Sequence, residues 1–105
     1  MTLRVVVLAS GRGSNFVALH DAIRHGRCDA QIVSLITERK SAPVIQLAAA
    51  RDIPVQVIPF RKTDRAAWEA ELLEAVRKSD PEWVVLAGFM RVLSSAFVDA
   101  FAGRI

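Results

Sequence analysis

The feature that most constrains this chain is an unbroken apolar run that ends in two closely spaced glycines. Val5-Val6-Val7-Leu8-Ala9 leads directly into Ser10-Gly11-Arg12-Gly13-Ser14-Asn15. A short Val-rich run without polar alternation is what a strand covered on both faces requires. The glycines behind it end that strand, because glycine turns sharply through backbone conformations closed to other residues. Phe16, Leu19 and Ile23 then recur at helical spacing as far as Gly26, a helix stop. A strand covered on both faces and followed at once by an amphipathic helix opens a parallel strand–helix–strand unit.

The same alternation continues along the chain. Strands are expected at residues 3–9, 31–37, 55–58 and 83–87. Pro43 fits the first turn of a second helix that carries Val44, Leu47, Ala48 and Arg51. Thr63 or Asp64 caps a longer third helix, whose Trp68, Leu72 and Val76 share one face. A last helix starts at Ser94 or Ser95 and is expected to bury Phe97, Val98 and Phe101. Strands alternating with helices imply right-handed crossovers, hence an α/β fold with a doubly wound parallel sheet. With 105 residues and no shift in composition, the expectation is a single domain. Such sheets bind ligands beyond the carboxyl ends of their strands, here the loops at 10–15, 37–43, 59–64 and 88–93.

Charge and composition narrow the class of ligand. The net charge is +3, but 14 Lys and Arg are interleaved with 11 acids, and the densest basic groups, at 38–40 and 61–65, are short and mixed in sign. A nucleic-acid binder carries a stripe of one sign, so no nucleic-acid partner is expected. Phosphorylated or carboxylated small molecules suit the same balance. The longest apolar runs fall far short of the ~20 residues needed to span a bilayer, so no membrane partner is expected. Cys28 stands alone, without a disulfide partner or metal-ligand spacing. A cytoplasmic protein without a metal is expected.

The first loop reads as an anion site. The helix behind it aims unpaired N–H groups and its positive dipole end at a phosphate, and Ser14 and Asn15 add side-chain donors. Gly13 is expected to let the backbone approach that ligand. A dinucleotide fingerprint needs a third glycine where Phe16 stands. Glu38, at the end of the second strand, lies roughly where a ribose-binding acid would be. An NAD(P)-binding domain of an oxidoreductase therefore stays open, as does a non-catalytic phosphate-binding module. No Gly-Lys-Ser/Thr closes the loop, which excludes a P-loop. His20 and His25 fall on or at the end of the first helix and are expected at the surface.

Ser10-Gly11-Arg12-Gly13-Ser14-Asn15, taken with Val84-Val85-Leu86-Ala87-Gly88-Phe89-Met90-Arg91-Val92-Leu93-Ser94, resembles the phosphoribosylglycinamide formyltransferases. The resemblance runs over the whole chain. It implies a Rossmann-like formyltransferase fold and transfer of a formyl group from 10-formyltetrahydrofolate, a co-substrate, to the amine of glycinamide ribonucleotide in purine biosynthesis. It implies that Gly13, Ser14 and Asn15, flanked by Arg12 and Phe16, bind the ribonucleotide phosphate. It places the folate site at Met90, Arg91, Val92 and Leu93, and a folate-binding basic residue at Arg65. Leu86, Phe89, Val92 and Leu93 are the expected apolar walls for the heterocycle.

Ala102-Gly103-Arg104-Ile105 also matches the family, in the stretch just before its catalytic strand. The family's catalytic Asn, His and Asp then lie beyond Ile105. No catalytic residue is expected in these 105 residues, and the chain alone is expected to be inactive. The wholly apolar run at 83–87 would be a bare outer edge, which promotes self-association. The chain is therefore expected to be the front part of a longer protein. A complete four-stranded domain with a frayed tail is the alternative.

Overall fold

The first strand sorts its side chains by parity, and that sorting builds the two layers of the protein. In a computed structural model, which describes residues 2–105, β1 (Leu3–Leu8) sends Val5 and Val7 into one buried cluster, and Val6 and Leu8 into another. Alternate residues of a strand point to opposite faces, so a wholly apolar strand must be covered twice. Helices α1 (Ser14–Arg24) and α2 (Val44–Ala49) cover the Val5–Val7 face through Phe16, Val44 and Ala48. Helices α3 (Arg65–Ser79) and α4 (Ser95–Ala100) cover the other through Trp68, Leu72, Val76, Phe97 and Phe101.

The remaining strands are β2 (Ala30–Thr37), β3 (Val55–Val57) and β4 (Trp83–Leu86). All pairings are parallel, in the order β3-β2-β1-β4. This is the doubly wound sheet expected. The chain winds outward from β1 through β2 to β3, then crosses back over the other face to β4. The winding reverses at β1, so a crevice opens between the carboxyl ends of β1 and β4.

One irregularity is invisible to periodicity. Val5 pairs with Ile32 but Val6 pairs with Ser34, so β2 carries one extra residue at a bulge. Ala30 and Ile32 face the α1–α2 layer before the bulge and Leu35 faces it afterwards. The parity of β2 has switched, and Leu35 and Ile36 stand level with Val7 and Leu8.

Several boundaries differ from expectation. β1, β3 and β4 each end one residue early, although Ala9 and Ala87 still donate to Ile36 and Leu8 carbonyls at 3.1 and 2.9 Å. β2 starts one residue early, at Ala30. α2 stops at Ala49, and Arg51 instead donates from its side chain to the Leu47 carbonyl at 3.0 Å. α1 stops at Arg24, before Gly26. Asp64 and Ser94 are the caps, accepting from Ala67 and Phe97 N–H groups. Val98 is 45% exposed rather than buried. On a short helix that turns the pair Phe97 and Phe101 to the core, position 98 lies about 100° away. The β4 edge is not bare either, because the Val84 N–H donates to the Arg104 carbonyl at 2.7 Å.

Candidate functional site

The crevice at the switch point is built from the loops after β1 and β4. The first loop is tied to α2, whose Val44 N–H donates to the Gly11 carbonyl at 3.1 Å. Gly13 follows with φ +87° and caps α1. A Cβ there would lie 2.7 Å from Val44 Cγ2 and 3.1 Å from Leu47 Cδ1. Glycine is thus required at this position by its backbone conformation and by the packing of α2. The first intrahelical bond runs from the Val17 N–H to the Gly13 carbonyl at 2.9 Å. The N–H groups of Ser14, Asn15 and Phe16 therefore have no acceptor within the helix. No acidic residue in the first turn offsets the positive dipole end. Arg12, Ser14 and Asn15 are exposed beside these groups, whereas Phe16 is fully buried. Phe16 can contribute only its backbone N–H, since its ring belongs to the core.

The second loop is fixed almost residue by residue. Ser10, fully buried, donates its N–H to the Gly88 carbonyl at 3.3 Å and accepts from the Met90 N–H on its Oγ at 2.8 Å. These two bonds draw the strand ends together around a cleft of about 300 Å³ lined by Gly11 to Asn15, Ala87, Gly88 and Met90. Beyond it, Phe89 stacks on Trp68 with ring centres 6.5 Å apart. Arg91 lies 3.9 Å over the Phe60 ring, and its Nε donates to Glu38 Oε2 at 3.1 Å. Arg65 Nη2 donates to the Val92 carbonyl. Glu69 accepts from the Ser94 N–H at 3.0 Å and from the Ser94 hydroxyl.

This geometry divides the expected apolar walls. Phe89 and Leu93 turn inward against the α3–α4 core, while Leu86, Met90 and Val92 stay exposed at 45, 71 and 76%. Arg65 keeps further N–H donors beyond the one spent on Val92. The loops at 37–43 and 59–64 enter the arrangement through Glu38 and Phe60, each the second residue of its loop. Glu69 and Ser10 had no assigned role in the sequence. The signal for Glu69 was its place one turn after Arg65 on α3, which puts both on the face toward the second loop.

Glu38 is not presented to a ribose. Its side chain is 1% exposed and turned toward Arg91, which removes the residue that kept a dinucleotide site open. His20 is half-buried against Phe16, with ring centres 6.3 Å apart, rather than at the surface. His25 is exposed and its Nδ1 lies 2.8 Å from the Asp21 carbonyl. Among the described residues no group of three or more His, Cys, Asp and Glu is placed to hold a metal. No helix among them is long and apolar enough to cross a membrane.

Comparison with known proteins gives the same architecture a family. Residues 3–105 match the family model described as formyl transferase. The chain belongs to the formyl transferase family. This formyl transferase chain is 35% identical over 104 residues to the phosphoribosylglycinamide formyltransferase of Escherichia coli, spanning 98% of itself and 49% of that relative. It is 39% identical over 105 residues to the trifunctional purine biosynthetic protein adenosine-3 of Drosophila pseudoobscura pseudoobscura, covering 97% of this chain and 8% of that much longer protein. The structure of phosphoribosylglycinamide formyltransferase from Coxiella burnetii superposes with a TM-score of 0.94 at 38% identity, covering 99% of this chain and 49% of that one. The formyl transferase chain thus spans about half the length, or less, of the relatives it matches.

Proposed function

We propose that these residues form the ribonucleotide-binding part, and part of the folate site, of a glycinamide ribonucleotide formyltransferase. The observation that carries the proposal is the joining of the two loops by Ser10, which sets an anion-binding helix terminus against the loop after β4. Two reactants held on such neighbouring loops lose little further freedom on reaching each other, and alignment of this kind is worth several kcal/mol of a barrier.

The N–H groups of Ser14, Asn15 and Phe16 hold the ribonucleotide phosphate, and Arg12, Ser14 and Asn15 add side-chain donors. The backbone of Met90, Arg91, Val92 and Leu93 receives the heterocycle of the folate, with Met90 and Val92 as exposed apolar contacts. Arg65 offers its unused N–H groups to a folate carboxylate. The chemistry of these groups fits 10-formyltetrahydrofolate, a flat heterocycle with an anionic tail, and when bound it supplies the formyl group that the amine of the ribonucleotide accepts. Binding and positioning are the roles assigned to this chain. The groups that move protons are assigned to the part of the relatives that it does not span.

Calorimetry with ribose 5-phosphate, 5-formyltetrahydrofolate and NADPH tests the proposal. Binding of the first two without the third is the expected result. Binding of NADPH without the folate would replace it with the dinucleotide reading, and binding of ribose 5-phosphate alone would leave a phosphate-binding module. Arg65→Ala is expected to weaken the folate more than the sugar phosphate, by a few-fold at most, because an exposed ion pair contributes only about 0–1 kcal/mol.

A further inference from the structure

Among the described residues, Glu38 is the one side-chain carboxylate that the fold encloses. It sits immediately after β2, 4% exposed as a residue and 1% in its side chain. Enclosing a carboxylate is unfavourable unless its oxygens find donors. One of them does, since Oε2 accepts from Arg91 Nε at 3.1 Å. The other, Oε1, is buried with no hydrogen-bond partner among the described residues. An apolar or amide side chain would fill this place at lower cost, so packing does not account for a glutamate here.

The partner it holds explains it better. Arg91 lies in the middle of the loop after β4, its side chain still 40% exposed. Its guanidinium is fixed on one side by the Phe60 ring at 3.9 Å and on another by Glu38. Phe60 is itself tied to the same glutamate, because the Phe60 N–H donates to the Glu38 carbonyl at 3.3 Å. Phe60 also packs edge-on against Trp68, on which Phe89 stacks. The end of β2, the segment after β3 and the loop after β4 are therefore gripped together at one charged contact. The exposed Met90 and Val92 flank the residue that is gripped.

We propose that Glu38 is a positioning residue: through its buried carboxylate it fixes Arg91 and so holds the 88–93 loop in the shape that binds the heterocycle. The effect on the heterocycle rests on the formyltransferase proposal above, whereas the effect on the loop does not. With its side chain 1% exposed, Glu38 is assigned no direct contact with a ligand, and its influence passes through Arg91.

The test separates a positioning role from a structural one by the sign of two readouts. Glu38→Gln keeps the volume but removes the charge. A group that only fills space would leave the loop and its ligand unchanged. If the carboxylate positions the loop, amide hydrogen exchange at residues 88–93 speeds up by about tenfold, as expected on weakening a charged hydrogen bond, while exchange at residues 14–17 is unchanged. The thermal midpoint should hold or rise, because a buried charge has gone. Affinity for 5-formyltetrahydrofolate should fall by about tenfold with that for ribose 5-phosphate unmoved. Arg91→Gln should give the same exchange and affinity changes but lower the thermal midpoint, because it leaves the buried Glu38 carboxylate without its partner. In exchange and affinity the double variant should add nothing further. Unchanged exchange at 88–93 in both single variants would overturn the proposal, as would an equal loss for both ligands or simple additivity in the double variant. If the wild-type protein bound no folate, the formyltransferase proposal would fail and the exchange measurement would still decide the role of Glu38.

Discussion

Replacing Gly13 by alanine separates two reasons for a glycine in a phosphate loop. At φ +87° an L side chain costs about 1–2 kcal/mol. The added Cβ would also lie 2.7 Å from Val44 Cγ2, 3.0 Å from Val44 Cβ and 3.1 Å from Leu47 Cδ1. Val44 is fully buried and cannot swing away, so overpacking adds about 1–3 kcal/mol. The sum, about 2–5 kcal/mol, is a large share of the ~5–15 kcal/mol that stabilises a typical domain. At ~4–8 °C per kcal/mol, the melting temperature should fall by at least about 8 °C. Urea unfolding followed by circular dichroism measures the change, with Gly11→Ala as control. No atom lies within 4 Å of a Cβ at Gly11, and its backbone is not left-handed, so that variant should stay within about 0.5 kcal/mol of wild type. Val44→Ala removes the closest atom. Combined with Gly13→Ala, it should recover part of the steric cost, since Val44 Cβ and Leu47 Cδ1 remain, and leave the conformational one, a coupling of about 1 kcal/mol or more. Wild-type stability for Gly13→Ala, or strict additivity of the pair, would refute the argument and return this glycine to the ligand.

Two further substitutions probe the layer that supports the second loop. Trp68→Phe removes the indole N–H that donates to the buried Ile58 carbonyl at 2.9 Å, and should cost about 1–3 kcal/mol by thermal melting. An unchanged melting temperature would show that this carbonyl finds another donor. Asp64→Ala removes the cap that accepts from the Ala67 N–H and should cost about 1 kcal/mol, with Asp64→Asn restoring most of it. Equal loss in both variants would trace the effect to charge rather than to capping.

The sequence alone determined the layers and the place to look. Val5 to Leu8 are apolar at every position, so the strand had to be covered on both faces, and only crossover helices can do that for parallel neighbours. Both loops were legible because glycines, caps and strand ends act over a few residues, and short-range rules govern them. Asp64 and Ser94 capped their helices for the same reason. Tertiary structure decided what depends on residues far apart in the chain. The bulge in β2 is set by its pairing with β1 and leaves no mark in the periodicity of 31–37. That α2, about thirty positions further along, packs against Gly13 and leaves no room for a Cβ was not visible along the chain. Glu38 had the place of a ribose-binding acid, and only the return of the chain after β4, 53 residues on, brought Arg91 to its carboxylate. A pattern along the chain fixes which face a side chain takes, but which partner it meets there is fixed by the order in which the strands assemble.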